Sequence, residues 1–296
     1  MDYRKRFVVE PGGKVHLSKI DPSYTGKHES HEKALPEIQS HVERMNKLQY
    51  LLYADGNQSL LVVLQALDAA GKDGVIRHVL SCMNPQGTSV FGFKQPNEDE
   101  AAHDFLWRAH CHAPGKGEVV IFNRSYYESV LVVRVHKFVE HSVWSKRYEL
   151  INDFEKMLSR NRTTVLKFFL HISPEEQLAR FKQRLDDPSR HWKISDSDYS
   201  ERELWPEYMD AYEDAIALTS TKRAPWYIIP ANHKWFRDLA LSQIIAETMD
   251  EMGLKLPPTH VDIAAIRRSF HAAKKEEMRR ANVGGKVGGK SPTKAE

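Results

Sequence analysis

Residues 60–79 read LLVVLQALDAAGKDGVIRHV, and no other stretch constrains the fold as strongly. The unbroken apolar run Leu60–Leu64 suits a strand covered on both faces, as in a parallel sheet. It opens into a turn of small residues, Asp68-Ala69-Ala70-Gly71-Lys72-Asp73-Gly74. A helical pattern follows, with Val75, Ile76, Val79, Leu80 and Met83 on one face. A strand, a glycine-containing loop with a lysine, then a helix is the arrangement that binds phosphate. Backbone N–H groups at the start of the helix point at the anion, and the helix dipole adds to them. Ala69, Ala70, Gly71, Lys72, Asp73 and Gly74 are the candidate cradle, with Lys72 as an accessible loop-tip cation. Against the pattern G-x-x-x-x-G-K-[ST], Ala66 stands in place of the first glycine, and Asp73 in place of the hydroxyl that would meet Mg²⁺. If the loop handles Mg-phosphate chemistry, Asp68 is the candidate to replace that hydroxyl. The plain alternative is an ordinary strand-to-helix turn.

The 296 residues allow one large α/β domain or two small ones. The apolar runs are too short to cross a bilayer, and the N-terminus MDYRKRFVVEPGGK has no secretory core. Cys82 and Cys111 form no CxxC pair, which fits reduced thiols in a cytoplasmic protein without a membrane association. Of the net charge of +3, segment 274–296 contributes +4, seven Lys/Arg against three Glu, so the remainder is near −1. A polyanion must therefore be held by a local patch.

Along the chain, residues 1–30 read as irregular. Helices are expected over Glu29–Tyr53, Asn97–His112, a segment opened by a Ser125/Glu128 capping box, Ser142–Ser159, Ser173–Leu185, Tyr199–Leu218 and Trp235–Met252, with a last one over Val261–Arg280. Strands are expected over Thr88–Phe93, Glu118–Phe122, Thr163–Ile172 and Trp226–Pro230. The Gly/Lys-rich end, Asn282–Glu296, has the composition of a disordered segment. Alternating strands and helices imply a parallel sheet with ligands at the carboxyl ends of its strands. Both the Asp68–Gly74 loop and Asn123-Arg124 fall there. The division expected is a segment and helix over 1–55, an α/β domain over 56–253 and an extension over 254–296.

Together these pieces resemble the family-2 polyphosphate kinases. The residues that carry the resemblance are LQALDAAGKDGVIRHV (64–79), NPQG (84–87), EVVIFNRSYYE (118–128), VLVVRVH (130–136), FFLHIS (168–173), RLDDPSRHWKIS (184–195), Trp205 with AYEDAI (211–216), and APWYIIPANHKW (224–235). The similarity runs over roughly residues 5–253. It implies a P-loop kinase-like three-layer α/β sandwich, a parallel sheet flanked by helices, with a helical lid near 180–198. It also implies transfer of phosphoryl groups between inorganic polyphosphate and adenine nucleotides, with guanine left open, using Mg²⁺ in a homodimer or homotetramer. The family commonly has Asp-Arg-Ser where this chain has Asn123-Arg124-Ser125. Resemblance to the subgroup with Asn there, and Glu at the position of Glu128, implies acceptance of AMP as well as ADP.

Phosphoryl transfer needs in-line positioning and neutralised oxygens rather than covalent help. Asp68, Lys72 and Arg124 are the expected catalytic set: Asp68 toward Mg²⁺, Lys72 on an acceptor phosphate, Arg124 as a guanidinium fork between donor and acceptor. Asn123, Glu128 and Arg134 are expected at the nucleotide, Arg134 on the resemblance alone; a capping box explains Glu128 nearly as well. Arg180, Arg184, Arg190 and Lys193 are expected to line a polyphosphate groove under the lid, although a charge run is often only a solvated helix face. His103, His110 and His112 lack partner ligands and read as scattered helix residues. The rivals are an ATP-dependent nucleoside monophosphate kinase of thymidylate-kinase type and a non-enzymatic polyanion-binding protein. No specific nucleic-acid motif supports the latter.

Overall fold

The computed structural model describes residues 1–284, which fall in two units, 1–256 and a second that begins at Pro257. The first is built on one six-stranded sheet: β1 (Val8–Val9), β2 (Ser59–Gln65), β3 (Thr88–Gly92), β4 (Val119–Asn123), β5 (Thr163–His171) and β6 (Trp226–Pro230). Their order is β1-β6-β5-β2-β4-β3, with all pairs parallel except β1 on β6. β2 lies in the middle because it is apolar on both faces. Leu60, Val62 and Leu64 enter one core with the helices His31–Asp55 and Lys234–Glu251; Leu61 and Val63 enter the other with Arg147–Arg160 and Trp205–Thr219. Successive side chains of a strand point to opposite faces, so an unbroken run of leucines and valines serves both layers. Every residue of β2 is buried.

The chain leaves β2 toward β3 and β4 on one side, then returns past it to β5 and β6 on the other. This reversal opens a crevice beyond the carboxyl ends of β2 and β4, where doubly wound sheets take their ligands.

Several expected elements are corrected by the structure. Residues 1–30 are not wholly irregular: helix Tyr3–Phe7 leads into β1, whose Val8 and Val9 pair with Tyr227 and Trp226. The expected helix 97–112 is two short helices, Glu98–Ala102 and Trp107–Cys111. The Asn97/Glu100 capping box does form at the first. Ser125 caps only a 3-10 turn, Tyr126–Ser129, by accepting from Tyr127 N, so no capping box engages Glu128. The helix expected from Tyr199 is broken at Leu204 into Ser197–Glu203 and Trp205–Thr219, with Pro206 in the first turn of the second. The described part of the second unit contains one helix, Ile263–Gly284. It takes in Asn282–Gly284 of the end expected to be disordered; residues 285–296 lie outside the described residues. Among the described residues, no helix is long and apolar enough to cross a membrane.

Candidate active site

The loop after β2 turns sharply through two left-handed residues, Ala69 (φ 62°) and Gly71 (φ 106°). Gly71 is required twice over. Its φ disfavours a side chain, and a Cβ there would lie 2.0 Å from Nη1 of Arg237. Helix Lys72–His78 then begins with no side-chain cap. The N–H groups of Gly71, Lys72, Asp73 and Gly74 have no backbone acceptor among the described residues, which is the cradle an anion requires.

Lys72 differs from the expected loop-tip cation. It is buried, and its Nζ donates to the carbonyls of Ala66 (2.8 Å) and Leu67 (3.4 Å). Burial pulls its ammonium below the usual lysine value, while Asp68, Glu128 and Asp73 oppose that pull. The charge is thus preorganised at the root of the loop.

At the end of the neighbouring strand β4, Arg124 also takes a left-handed backbone, φ 61°. Its N–H donates to Leu64 O of β2 at 3.0 Å, and its Nη2 donates to Asp68 Oδ1 at 2.9 Å. A non-glycine residue held there marks strain that the surroundings over-determine. Burial works against its charge and is outweighed by Glu128 and Asp68. Asn123 Nδ2 donates to Asp73 Oδ1 at 3.0 Å, and Lys193 Nζ donates to Asp73 Oδ2 at 3.2 Å. Burial alone would raise the Asp73 carboxyl; those two bonds leave it below the usual range. Glu128 lies close enough to Lys72 and Arg124 to feel both, yet burial holds its carboxyl above the usual range.

Asp68, Gly71, Lys72, Asp73, Gly74, Asn123, Arg124 and Lys193 line a cleft of about 1580 Å³; Glu128, expected at the nucleotide, is not among the residues that line this cleft. Ten lysines and arginines face it against three aspartates, Asp68, Asp73 and Asp238. Arg184, Arg190 and Lys193 come to it from the segment expected as a lid, the end of helix Pro174–Asp186 and the 3-10 turn Pro188–Lys193. Lys94, Lys234 and Arg237 line it too, and none of them stood out in the sequence. The segment NHKW (232–235) held the only signal for Lys234; Arg237, 2% exposed, lies against Gly71 and Gly74 and holds Asp238 at 2.7 Å. Burial and the nearby Arg180 and Arg237 push the Lys234 ammonium down.

Two expectations are corrected. Arg134 is not on one helix with Glu128; it sits on helix Val132–Val135, pairs with Asp214 at 2.7 Å, covers the Trp144 ring, and is not among the residues lining the cleft. Arg180 is 5% exposed and spends its donors on the protein's own carbonyls and on Glu176, so it offers a polyphosphate chain no free N–H. The three histidines pack singly: His103 stacks on Trp107, His110 meets Phe154 edge-on and His112 stacks on Phe91.

Under the Asn123–Tyr127 turn lies a buried ion pair. Lys167 Nζ donates to Glu155 Oε2 (2.7 Å), Thr219 O (2.7 Å) and Tyr127 OH (3.0 Å); the hydroxyls of Tyr126 and Tyr127 donate to Glu155 Oε1. This network anchors the two residues that follow Arg124-Ser125.

The match to known proteins decides the family. The model of polyphosphate kinase 2 covers residues 27–257, more than half of the chain. The chain belongs to the polyphosphate kinase 2 family. It is 49% identical over 254 residues to the AMP/ADP-polyphosphate phosphotransferase of Meiothermus ruber, covering 86% of this chain and 95% of that protein. It is 46% identical to the ADP-polyphosphate phosphotransferase of Rhodopseudomonas palustris, covering 86% and 92%. The crystal structure of polyphosphate kinase 2 from Arthrobacter aurescens TC1 matches with a TM-score of 0.88 and 39% identity over 92% of this chain and 97% of that one.

Proposed function

We propose that this polyphosphate kinase 2 moves a phosphoryl group, reversibly, from inorganic polyphosphate to AMP or ADP. The observation that carries the reading is the number of cations lining one cleft. A nucleotide brings one to a few phosphates, which Lys72 and the loop N–H groups can serve. Arg184, Arg190, Lys193, Lys234 and Lys94 add further positive charge to the same cleft, as a linear polyanion requires.

In this reading Lys72 and the N–H groups of Gly71–Gly74 hold a phosphate of the acceptor. Arg124, held by Asp68, presents its remaining N–H groups toward the phosphate in transfer. The attacking nucleotide oxygen is already ionised, so no general base is needed. Closure of the lid by Lys193 on Asp73 excludes water. Asp68 and Asp73 both line the cleft and would hold Mg²⁺ through carboxylate oxygens, the donor type that ion takes. Such an ion supplies charge neutralisation on the phosphate oxygens. The protein is further read as a homo-oligomer, which light scattering tests directly.

The deciding experiment supplies either polyphosphate or ATP as sole donor to protein, Mg²⁺ and AMP or ADP. ATP or ADP formed from polyphosphate is the expected product. Turnover with ATP and none with polyphosphate would overturn the reading.

A further inference from the structure

Three consecutive carbonyls of the phosphate loop are taken by two side chains of one helix. Gln177 Nε2 donates to Asp68 O at 3.0 Å, and Arg180 Nη1 donates to Ala69 O and Ala70 O, both at 2.9 Å. The two residues stand three apart on helix Pro174–Asp186 and share a face. Arg180 also reaches across to the segment after β6. Its Nη2 donates to Ala231 O (2.6 Å) and Asn232 O (3.0 Å), and its Nε donates to Glu176 Oε1 (2.7 Å). That accounts for all five N–H donors of a guanidinium.

We propose that Arg180, seconded by Gln177, is a positioning residue for phosphoryl transfer: it holds the carbonyls of the loop on its own side, so that the N–H groups which follow face the phosphate. The proposal rests on the loop being the phosphate site, as read above. Across a trans peptide, the carbonyl and the next N–H point in opposite directions. With Ala70 O on Arg180, the Gly71 N–H is turned away from it. The left-handed Ala69 is a conformation alanine avoids, and it persists where its surroundings hold it. The two peptides that flank Ala69 are held on both sides, Asp68 O by Gln177 and Ala69 O by Arg180.

The same helix leads into the lid, and the far stem of the lid returns to it. Arg202, on helix Ser197–Glu203, donates to Gln177 Oε1 at 2.9 Å and to Pro174 O at 2.7 Å. Loop and lid therefore share one pair of side chains as their common footing. A lysine cannot replace Arg180, because a single ammonium has no planar fork to span two separated pairs of carbonyls.

The test uses full-length Arg180→Ala, Arg180→Lys and Gln177→Ala, with Lys72→Met alongside. KM for polyphosphate and for ADP and kcat are measured well below each variant's Tm. Arg180→Ala is expected to lose about 10²-fold in kcat, the scale of a small misplacement of reacting groups, with both KM values moving together. Arg180→Lys is expected to be equally impaired. Millimolar guanidinium ion is expected to restore part of the turnover of Arg180→Ala and none of Lys72→Met. Gln177→Ala is expected to show a smaller loss of the same kind, and it decides the matter if Arg180→Ala does not fold. A rise in polyphosphate KM alone, with kcat intact, would make Arg180 a donor ligand and overturn the proposal; so would full activity in Arg180→Lys, or wild-type kinetics in Gln177→Ala. Turnover retained in Lys72→Met would remove the loop as the phosphate site and this proposal with it. An inactive Lys72→Met beside a fully active Arg180→Ala refutes the clamp alone.

Discussion

Replacing Lys72 with Met separates the catalytic from the structural work of the loop. The ammonium is buried, 2.8 Å from Ala66 O and 3.4 Å from Leu67 O. Methionine keeps the length of the side chain and removes the charge. The buried carbonyl of Ala66 and the half-buried one of Leu67 then lose their donor, which costs about 1–3 kcal/mol by the usual penalty for an unmet polar group. Against this, the fold no longer has to bury a cation whose pKa burial depresses. The two effects oppose each other, so the net loss is expected to stay near 1 kcal/mol, about 2–4 °C in Tm for a domain of this size. Catalysis has no such compensation. An electrostatic contact to developing charge is worth about 10²–10³ in kcat, or 2.7–4 kcal/mol. The assay couples ATP formation from ADP and polyphosphate to a luminescent readout, with circular dichroism melts on the same preparations. Near-wild-type turnover in a folded Lys72→Met protein would refute the reasoning. A collapse of Tm would show that the lysine's first duty is to hold Ala66 and Leu67.

Three further outcomes are expected. Lys167→Met leaves Glu155 as an unpaired buried charge and should destabilise by about 3–5 kcal/mol in urea melts, with most of the loss recovered in Lys167→Met/Glu155→Leu; a double variant no better than the single would show that the hydrogen-bonded tyrosines, not the charge, set the cost. Burial holds the folded-state carboxyl of Glu128 above its ordinary value of 4.5, so the folded state binds its proton more tightly and stability falls as pH rises from 4.5 through the folded value. Glu128→Gln should therefore melt higher than wild type above that window and equally below it; a Tm difference independent of pH would discount the carboxyl as its source. Neutralising Arg184, Arg190 and Lys193 together should raise KM for polyphosphate more than KM for ADP. The wild-type polyphosphate KM should climb with salt more steeply than that of the triple variant, since exposed cation–phosphate contacts are screened over about 8 Å at physiological ionic strength; equal losses for both substrates would point to a collapsed lid instead.

The amino-acid sequence by itself determined the centre of the molecule. The double-faced run Leu60–Leu64 called for a central parallel strand. The loop with Gly71 and Lys72 called for phosphate, and the alternation of strands and helices put that loop and Asn123-Arg124 at carboxyl ends of strands. Each of these rests on periodicity or turn chemistry among near neighbours, and near neighbours are what a sequence displays. The tertiary structure alone decided what each cation is for. Arg180, Arg184 and Lys193 read alike in one charged stretch. Yet Arg180 faces the carbonyls of Ala69, Ala70, Ala231 and Asn232, while Lys193 faces Asp73 across the cleft. Arg237 and Lys234 join the cleft from the helix after β6, and Arg134 is drawn off to Asp214. A side chain's type fixes which hydrogen bonds it can donate. Which acceptor it meets depends on residues 51 to 120 positions away, brought near only when the sheet reverses its order about β2.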